Sequence, residues 1–96
     1  MSERVSGKIR VERRPDPARL EALGVAGWPI WTHGPATFPW RYEEEETCYL
    51  LEGEVVVTPE GGEPVQLAAG DLVTFPAGLA CTWEIRRAVR KHYRLG

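Results

Sequence analysis

The chain has 96 residues, 43% of them apolar, and a formal net charge of −2. This length predicts a single domain over residues 1–96, and this composition is typical of a globular protein and not of a disordered one. The charge argues against a basic field that would attract nucleic acid or an anionic membrane, and no apolar run approaches the roughly 20 residues of a membrane-spanning helix. The N-terminus lacks the apolar stretch of a signal peptide and two cysteines make no disulfide framework, so we expect a cytoplasmic protein.

The first predicted elements are an edge strand and one short helix. In the range 5–11, three apolar residues are separated by mostly polar ones, which indicates one or two edge strands. Asp16 is suited to a helix N-cap and Pro17 to the first helical position. Two leucines three residues apart then share a face, and Gly24 supplies the stop signal, so the helix has about two turns.

From Trp28 onward the sequence is typical of strands and turns. Apolar residues alternate or cluster in short runs, and glycine and proline separate the runs. The predicted strands are 28–32, 38–42, 47–51, 54–58, 65–67, 72–75, 80–86 and 89–95. Many short strands at regular spacing predict an all-β barrel or sandwich.

Two sets of residues have the spacing of known motifs. Six residues separate Glu46 from Gly53, and Gly70 is followed at fixed intervals by Pro76 and Gly78. These intervals fit the two cupin motifs, G-x5-H-x-H-x3,4-E-x6-G and G-x5-P-x-G-x2-H-x3-N. Glycine and proline set tight turns that few other residues can make. The chain therefore resembles a cupin, which implies a double-stranded β-helix (jelly-roll) barrel, with the motif-bearing core at about 38–86.

Most metal-ligand positions of those motifs hold other residues. Trp40 and Tyr42 stand where the first two histidines would be, Cys81 where the third would be, and Ile85 in place of the asparagine. Only Glu46 is retained from the usual three histidines and one carboxylate. Indole cannot ligate a metal, and manganese prefers oxygen and imidazole over thiolate. We therefore expect no bound cofactor, with manganese and zinc both disfavoured.

A finer resemblance rests on four stretches of sequence. They are 28–31 (WPIW), 46–53 (ETCYLLEG), 70–79 (GDLVTFPAGL) and 89–93 (VRKHY). In these stretches the chain is similar to small single-domain cupins related to the cupin domain of (S)-ureidoglycine aminohydrolase. That resemblance implies a manganese-dependent hydrolase, an activity that the missing histidines argue against. His33 and His92 lie at no motif position.

The motif frame predicts a pocket inside the barrel. Its expected lining, and thus the candidate ligand-binding set, is Trp40, Tyr42, Glu46, Cys48, Cys81 and Trp83. Aromatic walls with few polar groups suit a small organic ligand such as a sugar or a ureide-like compound. One interpretation is a metal-free binding pocket. A second is an enzyme in which Glu46 acts as acid or base with Tyr42 or Cys81. A third is a zinc site made by both thiols and Glu46.

Simpler explanations stand beside these. Inward aromatic residues and free cysteines are often plain core residues. A buried carboxylate needs a partner, so Glu46 could instead pair with Arg41 or with an arginine of the closing strands. We also expect a homodimer, since an exposed strand edge needs a cover. A purely structural role remains open, in which the N-terminal strand forms this dimer and the pocket is vestigial.

Overall fold

Two long strands, each paired with shorter ones, organise the fold. The structure is a computed structural model and describes residues 8–96. The first part of the predicted N-terminal strand, including Val5, lies outside the described residues. The elements are β1 (Arg10–Arg13), α1 (Pro17–Leu23), a 3-10 turn (Val25–Gly27), β2 (Ile30–His33), β3 (Ala36–Arg41), β4 (Glu46–Pro59), β5 (Val65–Ala68), β6 (Asp71–Phe75) and β7 (Ala80–Leu95).

The helix begins and ends where the sequence predicts. Pro17 occupies the first turn after Asp16, although the Asp16 side chain makes no capping hydrogen bond. Gly24 ends the helix with a left-handed φ of 74°, and its N–H donates to the carbonyls of Leu20 and Glu21. A residue without Cβ adopts this conformation at little cost. Within residues 8–96, no helix is long and apolar enough to cross a membrane.

All strand pairs among residues 8–96 are antiparallel, and β4 and β7 pair along nearly their whole lengths. The first half of β4 also pairs with β6, which in turn pairs with β1, and β2 pairs with the last part of β7. The second half of β4 pairs with β5, while β3 pairs with the first part of β7. The β4–β7 ribbon is thus flanked by two groups of strands. One group is β1, β6 and β2 at one end of the ribbon, and the other is β3 and β5 at the opposite end.

The prediction of separate strands at 47–51 and 54–58, and at 80–86 and 89–95, is wrong. Each couple forms one continuous strand, β4 or β7. Gly53 does not end β4; instead it has a φ of 111°, in a stretch where the register with β7 shifts repeatedly. Such an irregularity bends a strand without ending its pairing. The buried side chains accordingly switch from Cys48 and Leu50 before it to Val55 and Val57 after it.

Gly53 lies against the backbone of β7 at this bend. A Cβ built at Gly53 would stand 2.6 Å from the Ala88 carbonyl oxygen and 2.8 Å from the Val89 Cα. The close approach therefore requires glycine, and it lets the ribbon fold its two strand groups over each other. Ring contacts connect the groups, with Phe75 of β6 and Trp83 of β7 at 5.9 Å between centroids. The predicted all-β barrel with one short helix is confirmed.

Candidate functional site

One cavity of about 250 Å³ opens between the two strand groups. Its walls are almost wholly aromatic, with one carboxylate and one ammonium group among them. The lining residues are Trp31, Phe38, Trp40, Tyr42, Glu46, Trp83, Lys91, Tyr93 and Leu95. Four members of the predicted pocket, Trp40, Tyr42, Glu46 and Trp83, thus line one cavity.

The aromatic wall is built from residues that face each other across β2, β3 and β7. Phe38 and Trp83, paired in register, have nearly parallel rings with centroids 6.3 Å apart. Trp31 meets the edge of Trp83 at 6.1 Å. Trp40 stands at the mouth and is 50% exposed, so the expectation of an interior Trp40 needs correction: it lies at the end of β3, where the barrel opens.

The polar part of the cavity is an ion pair between Glu46 and Lys91. The Lys91 Nζ donates to Glu46 Oε2 at 2.8 Å, and the side chains of Lys91 and Glu46 are 6% and 10% exposed, respectively. Each charge satisfies the other in a place where an isolated charge would be very costly. The simpler explanation predicted for Glu46, a salt bridge to the closing strand, is therefore right about the strand, but the partner is a lysine and not an arginine.

Two tryptophan rings complete the surroundings of the ammonium group. The Lys91 Nζ lies 4.9 Å from the ring centroid of Trp31 and 4.7 Å from that of Trp83. Both distances are within the range in which the negative face of a ring attracts a cation. The site therefore stabilises one positive charge at this point with a carboxylate and two indoles.

Sequence reasoning missed Lys91, although a signal for it existed. The alternation of Cys81, Trp83 and Ile85 continues in period two to Val89 and then Lys91 on the same face of β7. The chain also has only two lysines against ten arginines. A lone lysine on an inward face would have identified the partner of the carboxylate.

Tyr42 is held in place by its neighbours on both sides. The Trp83 Nε1–H donates to the Tyr42 hydroxyl at 3.0 Å, and the phenol ring stacks on Phe75 at 4.7 Å. Burial, reinforced by the negative charge of Glu46, raises the pKa of Tyr42 well above its ordinary value. The phenol therefore keeps its proton at neutral pH, and among residues 8–96 no acceptor bonds to that O–H. It is free to donate to a ligand.

Replacing Tyr42 with Phe should cost about 1–3 kcal/mol of stability, because the buried Trp83 N–H loses its acceptor. The free energy of unfolding in urea measures this cost. Tyr49→Phe serves as the matched control, since Tyr49 is only partly buried and lies on β4 outside this cavity. Equal effects of the two changes would contradict the assigned role of the Trp83–Tyr42 hydrogen bond.

The structure does not bring the two cysteines to this cavity. Cys48 is completely buried in the core, and Cys81 lines a separate, more open depression with Arg41 and Glu60. Burial raises the pKa of Cys81 to about 11 and that of Cys48 to about 12. For Cys48, the nearby Lys91 opposes this rise. Both thiols are thus protonated at neutral pH, and neither stands beside the Glu46 carboxylate in the cavity wall.

The raised thiol pKa values predict a loss of stability in alkaline solution. In the unfolded chain both thiols ionise near 9.0, so they add to stability below that pH, and the contribution is lost as pH rises toward 11 to 12. The free energy of unfolding should therefore fall steadily above about pH 9. Cys48→Ala should lower the stability at neutral pH but weaken this pH dependence; an unchanged slope would refute the assignment.

The donor set does not fit a transition metal. Within the described part of the chain, no three His, Cys, Asp or Glu side chains come together in a group that could hold one. Glu46, the one retained ligand of the cupin motifs, already holds the Lys91 ammonium. His33 is exposed with its Nδ1 near the Gly34 carbonyl, and His92 Nδ1 lies 2.9 Å from the Trp28 carbonyl. Both histidines lie outside the cavity lining.

The chain is similar to one protein family and to several solved structures. The family model described as the EutQ-like cupin domain matches residues 20–93. A DUF861 family protein from Thermotoga maritima is 47% identical, with a TM-score of 0.90, over 93% of this chain and 100% of that one. No match is found among curated proteins.

Two further solved structures are similar over part of the chain. A protein from Salmonella typhimurium LT2, described as ethanolamine utilization protein Q, is 32% identical with a TM-score of 0.62, over 69% of this chain and 53% of that one. The present chain thus spans about half of its length. An RmlC-like cupin from Shewanella frigidimarina, 17% identical over 69% of this chain and 64% of that one, has a TM-score of 0.54 and supports the fold alone. None of these descriptions refers to ureidoglycine aminohydrolase.

Proposed function

Since the chain belongs to the EutQ-like cupin family, we propose that its barrel binds a small neutral metabolite, without a histidine-held metal, in the cavity beside Glu46 and Lys91. One observation carries this proposal. A carboxylate and an ammonium group, 2.8 Å apart and both nine-tenths buried, form part of the wall of an otherwise aromatic cavity. Such a wall combines a large apolar contact area with a few fixed polar groups, as small-molecule sites do.

The neutral charge of the ligand follows from the balance at the ion pair. Glu46 already neutralises Lys91, so an added full charge of either sign would be desolvated without a partner. Polar groups that still have bonding capacity are the remaining N–H donors of Lys91, the second oxygen of Glu46 and the O–H of Tyr42. They suit a ligand that carries a carbonyl or hydroxyl oxygen close to a hydrogen-bond donor, as in sugars and amides.

The flat faces of Trp31 and Phe38 add a stacking surface, and Trp40 lies at the entrance. Stacking on an aromatic ring contributes on the order of 0.5–1.5 kcal/mol beyond the burial of area. The cavity of about 250 Å³ has room for a molecule that replaces roughly eight waters at about 30 Å³ each. The proposal is therefore limited to compounds of low molecular weight.

An acid–base enzyme is the second candidate, and the position of Glu46 favours it. A buried carboxylate that borders a cavity can exchange a proton with a ligand bound there. Of the partners first considered, Tyr42 borders the same cavity and Cys81 does not. Hydrolysis of the ureidoglycine type is not included in the proposal. That reaction would need a metal ion bound by Glu46, and the Glu46 carboxylate is already paired with Lys91.

A screen of small neutral sugars, amides and carbonyl compounds by thermal shift tests the proposal. A ligand at about a hundred times its Kd should stabilise the protein by about 2.7 kcal/mol. The double variant Glu46→Gln/Lys91→Met should lose this shift. The matched control is Glu52→Gln/Arg90→Met, which removes an exposed ion pair between the same two strands. Equal shifts in both variants would place binding elsewhere and overturn the proposal.

We extend the proposal to a cytoplasmic homodimer that uses the free edge of β1. Within the part of the chain that the structure describes, residues 8–96, this strand pairs with β6 on one side only. An unpaired edge can add a strand from a second chain. Truncation of the residues before Pro15 should then give a monomer by light scattering, whereas an unchanged dimer would refute this role.

A further inference from the structure

We propose that the cavity takes a small neutral aldehyde or ketone, and that the Lys91 amine condenses with its carbonyl carbon to form an imine. This inference rests on the proposed function and names the class of ligand. It also assigns to Lys91 a role that no cupin motif position includes. The supporting observations are the isolation of the amine in the cavity, the stabilisation of a cation at Nζ and the carboxylate beside it.

Lys91 is placed where a carbonyl compound would meet it. Its side chain is 6% exposed and borders the cavity, so an approach to Nζ leads through the aromatic mouth. The sequence has one other lysine, Lys8, which is exposed. A nucleophilic amine enclosed by apolar walls also retains its adduct better, because bulk water has little access to hydrolyse it.

The surroundings of Nζ suit the protonated imine as well as the ammonium group. Protonated imine and ammonium carry the same charge at the same nitrogen. The Trp31 and Trp83 rings, at 4.9 and 4.7 Å, and the Glu46 carboxylate, at 2.8 Å, therefore stabilise both. Lysines that form imines are activated by desolvation in an apolar pocket, as Lys91 is here, and a proton acceptor beside the amine takes the proton that it must lose before it attacks.

Glu46 supplies the proton transfers that the condensation requires. The Lys91 ammonium gives one proton to Glu46, and the neutral Nζ then forms a bond to the carbonyl carbon. The carbonyl oxygen takes up a proton from Glu46 and becomes the hydroxyl of a carbinolamine. A further proton from the nitrogen reaches this hydroxyl through the same carboxylate, and water leaves as the C–O bond breaks. The product is the imine, whose nitrogen is protonated, and no oxidant or reductant takes part.

Reductive trapping with propanal and cyanoborohydride tests this inference in the native protein. Reduction of an imine leaves a propyl group on the lysine, which peptide mass mapping assigns to Lys91 or Lys8. Exposure alone predicts that Lys8 is labelled faster than the buried Lys91. The proposal predicts the reverse order in the folded chain, and similar rates for both lysines once the chain is unfolded in urea.

Two comparisons make the result decisive. Lys91→Arg keeps the charge beside Glu46 but cannot form an imine, so the fast adduct should disappear. Because arginine is larger than lysine and the position is buried, the order of labelling in the unsubstituted protein is the primary readout. Labelling confined to Lys8 would overturn the inference, and if neutral ligands still give thermal shifts, the proposed binding function survives. Faster trapping of pyruvate than of propanal would overturn the assignment to neutral compounds.

Discussion

Replacing Lys91 with alanine is expected to lower the free energy of unfolding by about 3–5 kcal/mol. The substitution leaves the Glu46 carboxylate, whose side chain is 10% exposed, without the ammonium group that now lies 2.8 Å away. It also removes the cation from between Trp31 and Trp83. In a domain of this size such a loss is a large part of the total stability, which is about 5–15 kcal/mol. Urea unfolding followed by tryptophan fluorescence measures it.

Two control variants separate the buried pair from general effects on β7. Arg90→Ala, the neighbouring residue in an exposed pair with Glu52, should cost less than about 1 kcal/mol. The double variant Glu46→Gln/Lys91→Met removes both charges together and should be more stable than Lys91→Ala, since no uncompensated charge remains. A Lys91→Ala protein as stable as Arg90→Ala would contradict the burial and pairing described here.

Gly53→Ala should destabilise the barrel by more than about 2 kcal/mol. A φ of 111° is strained for any residue with a Cβ, and the new methyl group would stand 2.6 Å from the Ala88 carbonyl oxygen. Because the obstacle is backbone and not a flexible side chain, β4 and β7 would have to separate at their bend. The midpoint of urea unfolding gives the effect.

Gly78→Ala is the matched control for this variant. Gly78 has a φ of 84°, and a Cβ there would meet nothing within 4 Å. Gly78→Ala therefore introduces backbone strain without a steric clash, and it should lower the free energy of unfolding by on the order of 1 kcal/mol. If the two variants lost equal stability, backbone conformation would explain both, and the close approach at the bend of β4 would have no energetic weight.

The fold was predictable because its most constrained positions are turns. Gly70, Pro76 and Gly78 keep a spacing that hydrophobic alternation alone could not provide, and together with Gly53 they define a barrel frame. The extent of the strands was not predictable in the same way. Gly53 has the appearance of a strand end in sequence, yet a bulge allows pairing to continue through it.

The candidate site was predictable only where the motif frame reached it. The motif frame put Tyr42 and Glu46 on the inner face, and in the structure both border the cavity. The frame could not show how deep each side chain lies along the barrel, and so Cys48 and Cys81 were grouped with them although neither borders the cavity. Lys91 was missed because it belongs to β7, beyond the last motif position, and because a buried lysine is uncommon.

The measurement that tests the central claim most directly is the response of the four indole N–H signals in a nitrogen-15 NMR spectrum to an added ligand. Trp31, Trp40 and Trp83 line the cavity, whereas the Trp28 ring lies outside it beneath Arg94. A neutral ligand found by thermal shift should move the first three signals, most of all that of Trp83, whose N–H donates to Tyr42. Movement of the Trp28 signal alone, or of none of the four, would contradict binding in this cavity.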